Sequence, residues 1–282
     1  MHMALSMLLN SLTLISILLI VSMGLAIIFG LMNIINLAHG EFVTIGAFTL
    51  VAVQAHGGSF WLGLVVAPVV GYVFGLVLER LLISRVAKNP LHAILVTWGL
   101  SLLIQQVLQL TFGPEPQRVT GPFSGSMSLG DFQYPAYRIF LVAFSFAAFA
   151  IVTVALRKSR FGLDLRASIQ SAEMSSVMGV DPNRTNARAF ALGAALASVA
   201  GVLIAPLTAV TAFMGVNYLA RSFFVVLVGG AGSIGGVAAG STIIGGLETV
   251  LTYQIPPTVA QASVLAVAII ILRFRPRGIL PA

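Results

Sequence analysis

The chain contains a series of long, uninterrupted apolar segments, the first of which covers residues 5–29. This segment is longer than the roughly 20 residues that a helix needs to cross a bilayer. With 58% hydrophobic and only 8% charged residues, the chain cannot bury its apolar side chains in a soluble core, which would still need a charged surface. The apolar residues run continuously instead of alternating, which favours helices over a membrane β-barrel. The sequence therefore predicts an all-α, polytopic integral membrane protein.

The apolar segments follow one another along the whole chain, and we expect about eight to ten transmembrane helices in a single domain, residues 1–282. The predicted crossings cover residues 5–29, 42–53, 60–83, 91–112, 139–156, 187–205, 222–228, 236–251 and 258–272. Segment 222–228 is too short to cross alone, so it must extend into its flanks or be re-entrant.

Most of the 15 Lys and Arg residues lie in three clusters between these segments. The clusters are Arg80, Arg85 and Lys88; Arg157, Lys158, Arg160, Arg166, Arg184 and Arg188; and Arg273, Arg275 and Arg277. The positive-inside rule assigns all three to the cytoplasm, which puts the N-terminus outside and the C-terminus in the cytoplasm. The net charge of +7 is then an orientation signal, and we expect no nucleic-acid partner.

Polar residues interrupt the apolar pattern after the first crossing, at Asn33, Asn36, His39 and Glu41. Such residues are costly in a membrane, so they indicate a solute path or a packed polar hinge. Amide side chains can replace the hydrogen bonds lost where a helix opens, or they can cap and link helices. We expect His39 to be a structural donor rather than a proton relay. We expect Glu41 to cap a helix at the cytoplasmic interface, with an ion partner inside the bundle as the alternative.

A glycine-rich run at residues 229–236 includes Gly229, Gly230 and Gly232. Glycine disfavours a helix by about 1 kcal/mol per position, so this run predicts a broken or re-entrant segment like that near residues 30–41. Paired breaks are typical of transporters built from internal repeats, although the residues of the two runs match poorly. Tight helix packing would equally account for the glycines.

Other polar or amphipathic residues lie inside the predicted crossings and could line a path for a small zwitterion. They are Thr44, Thr97, Trp98, Gln105, Gln106 and Glu248. Gln105 and Gln106 lie on adjacent helix faces, so at most one can point into a lumen. Glu248 is interpreted as a carboxylate that reaches the outer surface.

The cytoplasmic loop 157–186 carries helix start and stop signals. Asp164 is suited to cap a helix that Gly179 ends, and Asp181 with Pro182 can start the next helix. Such a helix could transmit force from a cytoplasmic partner or lie on anionic lipid, and the sequence does not distinguish these two roles.

Several motifs resemble those of known permeases. Glu173 and Gly179 keep the spacing of the loop through which bacterial ABC-importer permeases dock their ATPase subunits, with Met174 and Ser175 in place of the usual two alanines. The run MNIINLAHGE at 32–41, followed by Gly46 and Ala47, resembles the signature of the branched-chain amino acid permease family, which includes urea and short-amide importers. Further matches in family order are TWGLS at 97–101, GAALA at 193–197 with Gly201, VGGAGSIGG at 228–236 and RPRG at 275–278.

The resemblance implies a subunit of the bacterial inner membrane that works with a second homologous permease, two ATP-binding cassette subunits and an external solute-binding protein. The chain has no G-x-x-x-x-G-K-[ST] phosphate loop, so its partners must supply the energy of ATP. The predicted ATPase-coupling residues are Asp164, Arg166, Glu173 and Gly179. The predicted path or gate residues are Asn33, Asn36, His39, Glu41, Thr44, Thr97, Trp98, Gln105, Gly229, Gly230 and Gly232.

Several functions stay open at this point. Residues 97–99 with Gln105 and Gln106 look somewhat like the urea branch, whereas 232–235 resembles the amino acid branch, which we favour. An ion-coupled secondary transporter or a passive channel is also compatible with broken helices. An enzyme is disfavoured, and we expect no cofactor or metal, because the chain lacks cysteine and has no metal-ligand spacing or paired carboxylates.

Overall fold

The computed structural model describes residues 2–87, 89–129 and 132–280. It is mostly helical, with a π-helical turn at Glu79–Ile83 and a 3-10 turn at Ala205–Leu207. The helices are α1 (His2–Met32), α2 (His39–Ala55), α3 (Phe60–Leu78), α4 (Ser84–Val86), α5 (Pro90–Phe112), α6 (Ala136–Lys158), α7 (Arg160–Gln170), α8 (Ala172–Val177), α9 (Pro182–Ile204), α10 (Met214–Gly229), α11 (Ile234–Thr252) and α12 (Pro257–Phe274). An antiparallel hairpin of β1 (Ser126–Leu129) and β2 (Phe132–Pro135) precedes α6.

Seven helices in the described part of the chain are long and apolar enough to cross a membrane. They run Leu5–Met32, Phe60–Val86, Pro90–Phe112, Ala136–Lys158, Pro182–Leu207, Ile234–Thr252 and Pro257–Phe274. The other two predicted crossings correspond to shorter helices, α2 with 17 residues and α10 with 16. The all-α polytopic class is confirmed, and segment 222–228 extends into its flanks as part of α10.

The basic clusters gather at one end of the helix bundle, which we call the cationic end. Arg157 and Arg166 share a cavity with Gly232, and Gly278, beside the third cluster, packs against Gly230. The π-helical turn that holds Arg80 shares another cavity with the ends of α1 and α9. Lys88, predicted to belong to the first cluster, lies outside the described residues. The opposite end carries the β1–β2 hairpin, and we call it the hairpin end.

Helices α1 to α3 and α9 to α11 form two units of opposite orientation. α1 starts at the hairpin end, where Asn10 shares a cavity with Arg138. α9 starts at the cationic end, where Asn183 shares a cavity with Met32. The first helix of each unit packs on the third helix of the other unit, α1 on α11 and α9 on α3. The second helix of each unit packs on the first helix of the other unit, α2 on α9 and α10 on α1.

Local details of the two units match as well. α3 and α11 each contain 19 residues and follow a serine N-cap, Ser59 and Ser233, whose hydroxyl accepts a backbone N–H three residues later. Gly57 and Gly232 precede these caps with nearly equal positive φ angles, 78° and 76°. The chain therefore contains an inverted internal repeat, an arrangement found in many membrane transporters.

The repeat corrects one expectation from the sequence. The break near 229–236 is present, but it is a turn between α10 and α11 and corresponds to the turn between α2 and α3. The counterpart of the break between α1 and α2, residues 33–38, is instead the segment 208–213 between α9 and α10.

Candidate functional site

The first crossing is interrupted by a non-helical segment that ends deep in the bundle. α1 ends at Met32, and the next residue, Asn33, has a φ of 49° and is the only non-glycine residue with positive φ among those described. After residues 33–38, α2 begins at His39, whose Nε2 lies 3.2 Å from the carbonyl oxygen of Val21, well inside α1. The polar motif therefore starts at the cationic end and rises into the bundle, further than the sequence indicated.

Asn36 holds this segment in place. Its Oδ1 accepts the backbone N–H of Ala38 at 3.0 Å, and its carbonyl oxygen accepts that of His39 at 3.2 Å. Beside it, the backbone N–H of Leu37 donates to Thr97 Oγ1 on α5 at 3.2 Å. Asn36 thus organises the unwound backbone, as predicted, and Thr97 anchors that backbone to a second helix. Asn33 itself is exposed.

Glu41 lies at the centre of a buried hydrogen-bond cluster between α2 and α5. Its Oε1 accepts Ser101 Oγ at 2.7 Å and Gln105 Nε2 at 2.6 Å, and Gln105 also donates to Ser101 at 3.0 Å. The side chain is only 1% exposed, and its Oε2 has no partner among the described residues. The expected position at the cytoplasmic interface was wrong, because Gln105 lies past the midpoint of α5 from its cationic end.

Ser101 was not among the residues predicted for the site. Its spacing of four from Gln105 places the two side chains on one helix face, which is the signal that the sequence offered. Gln105 is buried and Gln106 is exposed, so only one of the pair faces the bundle, as expected. Trp98 is 55% exposed and points away from the bundle, so the structure does not bring it to the Glu41 cluster.

Thr44 joins the two inverted units. Its Oγ1 accepts the backbone N–H of Gly215, the second residue of α10, at 3.1 Å. The backbones of Gly40 and Gly215 are in contact, and neither position has room for a Cβ. The two half-length helices therefore start beside each other inside the bundle, and α2 then runs towards the hairpin end and α10 towards the cationic end.

The second break, at residues 208–213, enters the bundle from the hairpin end. Val210 exchanges two backbone hydrogen bonds with Gln117, at 2.9 and 2.8 Å, which fix the segment to the loop before the hairpin. The segment itself contains no glycine and reads as apolar, so the only signal that the sequence offers for this break is Pro206, in the 3-10 turn just before it.

The glycine turn at the cationic end is closely packed. Gly30 of α1 lies against the Cα of Gly232, and Gly229 faces Gly236 across the turn. The backbone N–H groups of Ile279 and Leu280 donate to the carbonyls of Val228 and Gly229, both at 2.9 Å. Close backbone approach is thus permitted by Gly229, Gly230 and Gly232. The contact between Gly30 and Gly232 places the two predicted breaks, residues 30–41 and 229–236, side by side at this end.

Asp164 does not cap a helix, contrary to the prediction. α7 begins earlier, at Arg160, because Ser159 Oγ accepts the backbone N–H of Gly162 at 3.1 Å. It then stops at Ser171, an extended residue whose hydroxyl caps α8 by accepting the N–H of Met174 at 3.2 Å. The single predicted helix is therefore two short helices with a serine-capped break between them.

The predicted helix end at Gly179 and helix start at Asp181 and Pro182 are confirmed. Gly179 has a φ of 88° and ends α8, and Asp181 Oδ1 caps α9, which has Pro182 in its first turn. Glu173 is exposed in the first turn of α8. Arg166 donates to the carbonyl of Leu156 at 2.7 Å and so ties α7 to the end of α6.

Glu248 also differs from its prediction as a surface carboxylate. It is 7% exposed, and its Oε1 pairs with Arg221 at 2.9 Å. Arg221 lies outside the three basic clusters, so the sequence alone did not indicate a partner. Among the described residues no group of three or more His, Cys, Asp or Glu side chains could hold a metal ion.

These features define a polytopic membrane protein in which two discontinuous crossings meet inside an inverted repeat. The chain belongs to the family described as the branched-chain amino acid transport system permease component, whose sequence model matches residues 7–273.

Curated relatives align over nearly the whole chain. The permease protein LivH of the high-affinity branched-chain amino acid transport system is 29% identical in Escherichia coli and 28% in Salmonella typhimurium, covering 96% of this chain and 93% of each relative. The corresponding protein BraD of Pseudomonas aeruginosa is 27% identical over 98% of this chain and 95% of its own length. No solved structure matches the chain.

Proposed function

We propose that the chain is a membrane-spanning permease subunit of an ABC importer for branched-chain or other hydrophobic amino acids. The observation that carries this proposal is the family match over residues 7–273, together with relatives of that name aligned from end to end. ATP hydrolysis is assigned to separate subunits.

The proposed orientation places the cationic end in the cytoplasm of a bacterial cell and the N-terminus outside. The proposed ATPase contact is α8 with the residue that follows it, where Glu173 is joined by the exposed side chains of Met174, Val177 and Met178. Exposed apolar groups on a helix outside the crossings are costly in water, so a partner protein is expected to cover them. A second homologous permease would cover part of the outward helix faces, lipid the rest, and a solute-binding protein would dock at the hairpin end.

We assign the gate to the contacts that hold the half-length helices. The Glu41 cluster ties α2 to α5, and Thr44 ties α2 to α10. Movement of α7 and α8 would reach the bundle through the Arg166 contact with the end of α6. Because Asn36 holds the unwound backbone that Asn33 begins and His39 ends, we interpret these three residues as a hinge beside this gate and not as a high-affinity solute site.

The test is uptake into proteoliposomes that hold the complete transporter, with labelled leucine and labelled urea as alternative substrates. ATP-dependent leucine uptake supports the proposal, and urea uptake alone would favour the urea and short-amide branch. Vesicles that contain only this chain provide the second comparison. Uptake there driven by a proton or sodium gradient would identify an ion-coupled transporter, and downhill flux without a gradient or ATP would identify a channel.

A further inference from the structure

A cavity of about 500 Å³ opens at the hairpin end, away from the Glu41 cluster. Helices α1, α6, α10, α11 and the start of α12 contribute to its wall. Its volume lies within the roughly 300–1,000 Å³ that sites for small molecules occupy. The wall combines one residue of each charge, Arg138 and Glu248, with an apolar surface that includes Leu14, Ile17 and Leu207.

Glu248 supplies an unused acceptor at this wall. Its Oε1 is paired with Arg221, whereas its Oε2 is buried and has no hydrogen-bond partner among the described residues. A buried carboxylate oxygen without a donor is unfavourable, so a cationic donor from a ligand would be well accommodated there.

Arg138 supplies the opposite charge. It donates through one terminal nitrogen to Asn10 Oδ1 at 2.6 Å, and its guanidinium lies 5.8 Å from the centre of the Tyr134 ring. No described carboxylate lies within ion-pair distance of it. A guanidinium has five N–H donors in a planar fork, so others are left to bind a carboxylate.

We propose that this hairpin-end cavity binds an α-amino acid zwitterion with an aliphatic side chain. Glu248 would bind the ammonium group, Arg138 the carboxylate, and the surface formed by Leu14, Ile17 and Leu207 the side chain. The inference rests on the proposed function for its substrate class and adds a loading site upstream of the gate. The charges of the wall suit a neutral zwitterion better than urea, which carries no charge.

The probe is a leucine analogue with a photoreactive diazirine, added to the purified full chain in vesicles of phosphatidylcholine and phosphatidylglycerol. The modified residues are mapped by mass spectrometry. We expect labels on residues of this cavity, protected by excess leucine but at least about tenfold less well by leucinamide or 4-methylpentanoate, each of which lacks one charge. Labels confined to other regions, or equal protection by all three competitors, would overturn the proposal.

Variants of the wall give an independent measurement. Glu248→Gln and Arg138→Gln should lower cavity labelling about tenfold or more, whereas Glu115→Gln and Arg118→Gln, exposed residues of the loop before the hairpin, should leave it unchanged. Because Glu248→Gln also affects the pair with Arg221, Leu14→Phe serves as a second variant that fills the cavity without altering charge. Wild-type labelling in all the wall variants would contradict the proposal.

Two further experiments complete the test. The first distinguishes an amino acid site from a lipid site, and the second distinguishes a failure of the loading site from a failure of the proposed function. Phosphatidylethanolamine carries an ammonium and an anionic phosphate, so loss of labelling when this lipid is included would identify a lipid site and overturn the amino acid assignment. Leucine uptake by the complete transporter tests the proposed function separately. If uptake is normal but the cavity stays unlabelled, only the loading site fails; if no amino acid is transported, the proposed function fails whatever the labelling shows.

Discussion

Gly40 of α2 and Gly215 of α10 lie backbone against backbone, each facing the carbonyl oxygen of the other. This contact joins the starts of the two half-length helices, one from each inverted unit. Thr44 adds a hydrogen bond to the Gly215 N–H at 3.1 Å. The relative position of the two units thus depends on two residues that lack a side chain.

Replacing Gly40 or Gly215 by alanine should therefore destabilise the protein. The added methyl group meets backbone atoms, which cannot rotate away, so we expect a loss of about 1–3 kcal/mol or more and a lower midpoint of thermal unfolding in detergent. Gly246→Ala in α11 is the control, because a Cβ there has no atom within 4 Å. Equal unfolding midpoints for Gly40→Ala and Gly246→Ala would contradict the tight contact.

The two adjacent glutamines of α5 should respond differently to the same change. Gln105→Ala removes a donor to the buried Glu41 carboxyl group, and leaving that acceptor short of a donor is expected to cost about 1–3 kcal/mol. Gln106→Ala alters an exposed side chain and should stay within about 0.5 kcal/mol of wild type. Thermal unfolding measures both effects. Similar destabilisation by both variants would show that the Glu41 contact is not the cause.

The coupling role of α8 can be separated from backbone strain by a matched pair of glycines. Gly179 and Gly57 have similar φ angles of 88° and 78°, so alanine at either should be strained by about 1–2 kcal/mol. Gly179→Ala and Glu173→Ala should each reduce uptake and the stimulation of ATP hydrolysis while membrane insertion persists. Gly57→Ala should not reduce uptake. Wild-type uptake in both Gly179→Ala and Glu173→Ala would remove this segment from the mechanism.

The orientation can be measured directly because the chain contains no cysteine. Ser124 at the hairpin end and Ser176 on α8 are both exposed, so each can be replaced by a single cysteine. A membrane-impermeant maleimide added to intact cells should label Ser124→Cys but reach Ser176→Cys only after the cells are broken. The reverse pattern would place the cationic end outside the cell and contradict the proposed orientation.

Local signals in the sequence were the most reliable. The helix end at Gly179 and the start at Asp181 and Pro182 depend on the φ angle and hydrogen bonds of a few neighbouring residues, and both were predicted. The start of α7 was missed because Ser159 was overlooked in favour of Asp164, although both residue types are suited to the N-cap position.

Contacts between distant segments were not predictable in the same way. Glu41 meets Gln105 only because the unwound segment lifts α2 along α5, and the sequence does not record that displacement. Glu248 reads as a surface residue until Arg221 is placed beside it by the packing of α10 on α11. The break at 208–213 contains no glycine or charged residue, and its correspondence with the break at 33–38 is visible only once the two units are compared in the structure.

The helices of each inverted unit pack mainly on helices of the other unit, and this has a consequence for biosynthesis. α1 finds its main partners in α9 and α11, which leave the ribosome only after the loop 157–186 has been made. Until then the Thr44 hydroxyl lacks the Gly215 N–H that donates to it, and Gly24 of α1 lacks the backbone of Gly193 against which it packs. Native packing of the first unit must therefore follow insertion of the second, and this delay leaves the nascent protein open to chaperones and membrane proteases.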